Sequence, residues 1–102
     1  MIKILLIDDD PEQVEILKTI VSKEGREVTT CIRSKEALQL ILKNQYDLVF
    51  TDISMPEVDG VQVMKYVKEH SPETNFVPIT AFGDWGIYAQ ALRLGAKDFI
   101  RR

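Results

Sequence analysis

The chain has 102 residues, 45% of them hydrophobic and 28% charged, which suits one globular domain with its own core and excludes a disordered tail. A net charge of -3 argues against a nucleic-acid surface, and a single cysteine, Cys31, excludes an internal disulfide framework. No apolar run nears the ~18 residues of a membrane span, and Asp8 interrupts the first such run too early for a secretory signal.

Ile2–Ile7 reads as a strand buried on both faces, and it runs straight into Asp8, Asp9 and Asp10. Asp10-Pro11 suits a helix start, with Val14, Leu17, Ile20 and Val21 on the inner face and Gly25 at the end. The β-branched run Val28–Ile32 is a second strand, and Cys31 within it reads as a buried, inert thiol. Ser34 is placed to cap a second helix carrying Ala37, Leu38, Ile41 and Leu42, which stops at Asn44. Asp47–Thr51 is a third strand, followed by Asp52.

Gly60 leads into a third helix with Val61, Met64 and Val67 inward and His70 solvated near its C-terminus. Phe76–Thr80 is a fourth strand; its Pro78 cannot donate to a ladder, which predicts a bulge or a missing bond. Asp84 is placed to cap a fourth helix, with Tyr88, Ala91 and Leu92 inward and Gly95 as the stop, while Trp85 and Tyr88 form either an exposed aromatic patch or core. Asp98–Ile100 is the fifth strand.

Alternating strands and helices with right-handed crossovers predict an α/β fold, a parallel sheet with helices on both faces. Ligand sites in such sheets lie beyond the carboxyl ends of the strands. Asp8, Asp9 and Asp10 stand there after the first strand, Asp52 after the third, Thr80 at the end of the fourth, and Arg101 and Arg102 near the end of the fifth. If the first and third strands are neighbours, Asp8, Asp9 and Asp52 converge. Two like charges 4 Å apart repel by ~4 kcal/mol at an effective dielectric near 20, so such a trio retains a proton or binds a cation. Hard carboxylate oxygens suit Mg²⁺, and a carboxylate beside that ion is a competent nucleophile toward a phosphoryl group.

These residues resemble the receiver domain of two-component response regulators. The resemblance rests on ILLIDDD at residues 4–10, LVFTDISMPEVDG at 48–60, PITAFGD at 78–84 and LGAKDFI at 94–100, and it spans the whole chain in order. It implies a doubly wound, flavodoxin-like sheet of five parallel strands in the order 2-1-3-4-5. Asp52 would be the phosphoacceptor for a histidine kinase or phosphotransfer protein. Asp9, Asp52 and the backbone carbonyl of Ser54 would hold Mg²⁺ or another divalent cation, with Asp8 acting through water. Thr80 would donate its hydroxyl to the phosphoryl group, Phe99 would be the aromatic switch residue, and Ser54 and Phe82 would tune rates. Gly60 would permit a backbone conformation closed to bulkier residues. The resemblance also implies a cytoplasmic protein whose receiver binds neither nucleic acid nor membrane and turns over no separate substrate.

Two departures stand out. The family places a lysine at the end of the fifth strand; Arg102 falls there, whereas Lys97 lies five residues too early, and a planar guanidinium replaces a compact ammonium. A receiver also continues through a fifth helix, so residues 1–102 are expected to be a C-terminally truncated receiver. Its bare sheet face, or its fourth helix and fifth strand, would then support a homodimer. Two other functions compete. One is a receiver fold used as an interaction module without phosphorylation. The other is a small phosphohydrolase of the haloacid dehalogenase type with Asp8 as nucleophile and Asp10 as acid, although Pro11-Glu12 stands where that family has Gly-Thr.

Overall fold

The computed structural model describes residues 1–80, 85–96, 98, 100 and 101, with the backbone alone at 80, 100 and 101. The elements are β1 (Ile2–Ile7), α1 (Pro11–Val21), β2 (Arg26–Cys31), α2 (Ser34–Lys43), β3 (Leu48–Asp52), α3 (Gly60–His70), β4 (Asn75–Thr80), α4 (Trp85–Arg93) and β5 (Ile100–Arg101). All strand pairs are parallel and the order is β2-β1-β3-β4-β5. The expected fold and strand order are therefore observed, with strand ends shifted by one or two residues.

The period-two alternation of a strand decides which side chain faces which layer. In β1, Leu5 and Ile7 face a core that includes Val49, Ala37, Ile41, Val63, Met64, Val67 and Ala91, from β3 and from α2, α3 and α4. Ile4 and Leu6 face the opposite side, where they meet Phe50, Ile79 and the α1 residues Leu17 and Val21. A strand flanked by helices on both faces must be apolar at every position, which is why Ile4 to Ile7 are all buried.

Helix ends follow the chemistry of their first residues. Asp10 Oδ1 accepts from the Glu12 N–H at 3.0 Å, with Pro11 opening α1. Asp59 and Gln62 form a reciprocal capping box at the start of α3, with bonds of 2.9 and 3.1 Å. The expected cap at Ser34 is not used as one. Arg33 occupies the N-cap of α2 without a side-chain bond, and the Ser34 hydroxyl turns away toward the loop after β3.

Three inward assignments are corrected. Ile20, Leu42 and Leu92 are 63%, 51% and 47% exposed, because each falls at the edge of an apolar stripe too narrow to bury it. Gly25 is not the helix stop either: α1 ends at Val21, and Gly25 (φ +85) turns the chain into β2.

Pro78 makes no bulge. The register from Leu48↔Asn75 to Asp52↔Ile79 is one to one. The Asn75 N–H donates to the Asp47 carbonyl at 3.1 Å, and the Ile79 carbonyl accepts from the Ile53 N–H at 3.3 Å. Residues 75, 77 and 79 therefore turn their backbone groups toward β3. Pro78 faces the β5 side, where pairing begins only at Ile79↔Ile100. The proline sits in an interior strand at a position where no β3–β4 bond needs its N–H.

Replacing Asp59 with Ala removes the bond from the Gln62 N–H to the carboxylate and leaves only the backbone half of the capping box. The expected loss is ~1 kcal/mol of stability, read as a lower urea midpoint at unchanged slope.

Candidate functional site

The parallel pairing of β1 with β3 ends at Ile7↔Thr51, so the next residues on the two strands, Asp8 and Asp52, emerge side by side. Asp8 is held on its other flank as well, where its N–H donates to the Cys31 carbonyl at 3.1 Å and continues the β1–β2 ladder. Both carboxylates are buried, Asp8 at 0% exposure and Asp52 at 3%. Asp8 Oδ1 accepts from the Asp10 N–H at 3.0 Å, which fixes the side chain and bends the chain so that Asp9 faces solvent at the rim. One carboxylate oxygen from each of Asp8, Asp9 and Asp52 lies within 4.8 Å of the other two. The trio expected from sequence is thus assembled by residues over forty positions apart.

The donor set fits a hard divalent cation. Mg²⁺ takes hard oxygen ligands, and three carboxylates within 4.8 Å of one another would supply them. Asp10 is not part of the trio, since its carboxylate caps α1. That arrangement counts against the dehalogenase-like alternative, which needs Asp10 as an acid and a buried Asp8 as an accessible nucleophile.

The loop after Asp52 is closed at its base by the Gly60 N–H, which donates to the Ile53 carbonyl at 2.9 Å. Here an expectation is corrected in its reason. Gly60 does not have a positive φ; it is required by close approach, because a Cβ there would overlap the Asp52 carbonyl oxygen and lie 2.6 Å from the Ile53 Cα. Ser54 is exposed on this loop, and Met55 packs partly against the core. Two hollows flank the loop. One of about 550 Å³ is lined by Ser54, Asp59, Gln62, Lys65 and Gln90 among others. The second, of about 380 Å³, is lined by Asp9, Arg33, Ser34, Pro56 and Glu57 among others.

Of the remaining expected site residues, Thr80 ends β4, and its side chain lies outside the described residues. Phe82, Asp84, Lys97, Phe99 and Arg102 also lie outside them. Cys31 is buried as expected: its thiol donates to the Arg33 carbonyl at 3.0 Å, and burial pushes its pKa up. His70 is exposed at the end of α3, its ring 4.2 Å from that of Tyr66. Trp85 is exposed and Tyr88 half-buried, so the pair divides between the surface and its edge.

The profile of the response regulator receiver domain matches residues 4–102. The chain belongs to the response regulator receiver family. The receiver is 36% identical over 102 residues to the response regulator SaeR of Staphylococcus aureus, covering all of this chain and 44% of that protein. It is 31% identical over 100 residues to the response regulator protein PilR of Pseudomonas aeruginosa, covering 98% of this chain and 22% of that one. The receiver therefore spans less than half the length of these two relatives. Among solved structures, a response regulator receiver domain protein from Clostridium thermocellum superposes with a TM-score of 0.91 at 30% identity, covering 100% of this chain and 82% of that one. The Francisella response regulator 1452 receiver domain gives 0.88 at 28% identity, with coverage of 100% and 84%. Receivers of this family bind a divalent metal in an acidic pocket and interact with kinases and phosphodonors. No described helix is long and apolar enough to cross a membrane.

Sequence reading passed over two features of the site. The capping box that aims α3 was legible as Asp59-x-x-Gln62. The contact of Ser34 with the loop after β3 carries no sequence signal, because it joins residues 22 and 24 positions apart.

Two outcomes follow from this geometry. Gly60→Ala forces the backbone of Asp52 and Ile53 aside and is expected to cost about 2–3 kcal/mol in urea denaturation. Burial also raises the pKa of the Tyr46 phenol. Cys31 and Tyr46 therefore hold their protons in the folded state at pH values where the unfolded chain releases them. This contribution is fully present below the ordinary thiol value of about 8.5 and is lost as pH rises through the raised folded-state values. The urea midpoint should fall as pH rises above about 8.5, and fall less in Cys31→Ala.

Proposed function

We propose that residues 1–102 form a phosphoacceptor receiver domain in which Asp52 takes a phosphoryl group from a histidine kinase or phosphotransfer protein. The observation that carries this reading is the approach of Asp8, Asp9 and Asp52 to within 4.8 Å at the carboxyl ends of β1 and β3. Asp52 is the member placed to attack. It ends a strand, beside the exposed rim residue Asp9. Asp8 is fully buried and already bonded to the Asp10 N–H.

A carboxylate oxygen of Asp52 forms the new bond to phosphorus as the phosphorus–nitrogen bond of the donor phosphohistidine breaks, and the departing imidazole takes up a proton. The roles of the other residues belong to the same proposal. Asp9, Asp52 and the Ser54 carbonyl hold Mg²⁺, with Asp8 acting through water. When bound, this ion offsets the charge that gathers on the phosphoryl oxygens during transfer. The Thr80 hydroxyl and the Arg102 guanidinium then hold those oxygens, and Phe99 reports the change to the outer surface. Ser54 and Phe82 tune the rates of phosphorylation and hydrolysis. Partner choice and output belong to the whole protein of which receivers form a part.

Incubation with Mg²⁺ and a small phosphoramidate or acyl phosphate should raise the intact mass by one phosphoryl group. The adduct should be labile to hydroxylamine, absent in Asp52→Asn, and absent when the cation is chelated. Labelling at Asp8 in place of Asp52 would overturn the assignment, and no labelling under any donor would favour the unphosphorylated interaction module.

A further inference from the structure

The loop between β3 and α3 holds a turn that the acidic trio does not account for. The Val58 N–H donates to the Pro56 carbonyl at 2.9 Å, closing three residues around Glu57 at φ +69. This is the rarer, positive-φ γ-turn, and Glu57 is the one non-glycine residue with positive φ among the described residues. A side-chain-bearing residue persists in such a conformation only when its surroundings over-determine it.

Those surroundings are the first turn of α2. The Ser34 hydroxyl donates to the Pro56 carbonyl at 2.9 Å and accepts from the Val58 N–H at 3.1 Å, so one oxygen grips both ends of the turn. Ser34 is 3% exposed, although it opens a helix whose cap it does not provide. The next residue, Lys35, places its ammonium 3.4 Å from the Glu57 carboxylate, an exposed pair that adds little by itself. The loop is thus tied at its base by Gly60 to Ile53 and at its turn by Ser34. Ser54 and Met55 lie between those ties.

We infer that Ser34 is a positioning residue for the acidic site. It fixes the γ-turn at Glu57, and so the place of the Ser54 carbonyl relative to Asp9 and Asp52. This inference rests on the receiver reading, in which that carbonyl is a cation ligand. Ser34 does not touch the cation; a hydroxyl on α2 sets the cation affinity of a site built on β1 and β3. Without the hydroxyl, the Val58 N–H keeps its bond to Pro56, so the fold survives while the turn loosens.

The test is Mg²⁺ titration by calorimetry on the unaltered chain, Ser34→Ala and Ser34→Thr, with amide exchange read at Val58. In Ser34→Ala the Val58 amide should exchange faster and Mg²⁺ affinity should fall roughly tenfold, the lower end for groups that support metal ligands. Ser34→Thr keeps the hydroxyl and should restore both. A second background separates turn-holding from a general loosening. Glycine adopts positive φ at no steric cost, so Ser34→Ala should lose less affinity in Glu57→Gly than alone. Equal Mg²⁺ affinity in the unaltered chain and Ser34→Ala overturns the inference, as does an equal loss in both backgrounds. If the unaltered chain binds no Mg²⁺, the receiver reading fails and this inference falls with it.

Discussion

The acidic rim depends on the pairing of β1 with β3. Their parallel register ends at Ile7↔Thr51, and one further step brings Asp8 against Asp52. Because side chains alternate with period two, a slip of one residue would send Asp52 to the other face and Ile53 into the rim. The register is protected by its own apolar content: Leu5 and Val49 serve one core, Leu6 and Phe50 the other. A displacement of β3 would expose both sets together. The polar site is therefore specified by the hydrophobic layers below it.

That dependence explains why two buried carboxylates can be held so near one another. Asp8 is anchored through its backbone to Cys31 and through its side chain to the Asp10 N–H. Asp52 is anchored as the last residue of β3, with the Asp52 carbonyl taking the Thr51 hydroxyl at 3.0 Å and Gly60 packed against its backbone. The chain cannot relieve the repulsion by moving these groups apart without giving up sheet bonds or core contacts. A fixed cluster of this kind presents preorganised ligands, since the cost of gathering them has been met in folding.

Much of the fold was legible because its signals are local and periodic. Ile2–Ile7 and the Asp10-Pro11 helix start announce themselves within a few residues, and five such segments in alternation leave few topologies. The trio was legible for a different reason: a single Asp after a strand often only caps a helix, but neighbouring first and third strands bring Asp8, Asp9 and Asp52 to one rim. What escaped was non-local or depended on edges. Ile20, Leu42 and Leu92 sit where an apolar stripe meets solvent, and periodicity does not say how wide the covering layer is. Ser34 looked like a cap because serine before a helix usually is one, yet its hydroxyl serves a loop more than twenty residues on. Gly60 was singled out correctly, but the need for it lies in the backbone of Asp52, which only the folded chain brings near.

Pro78 has a consequence of its own for how the sheet assembles. Its ring removes a donor that β4 would offer to a partner strand just ahead of Thr80 on the β5 side. A fifth strand that slid two residues toward the start of β4 would call on that donor and find none. The proline thus acts as a stop: β5 can dock from Ile79 onward, where Ile79↔Ile100 begins the observed pairing, and the misaligned alternative is disfavoured before the strands close.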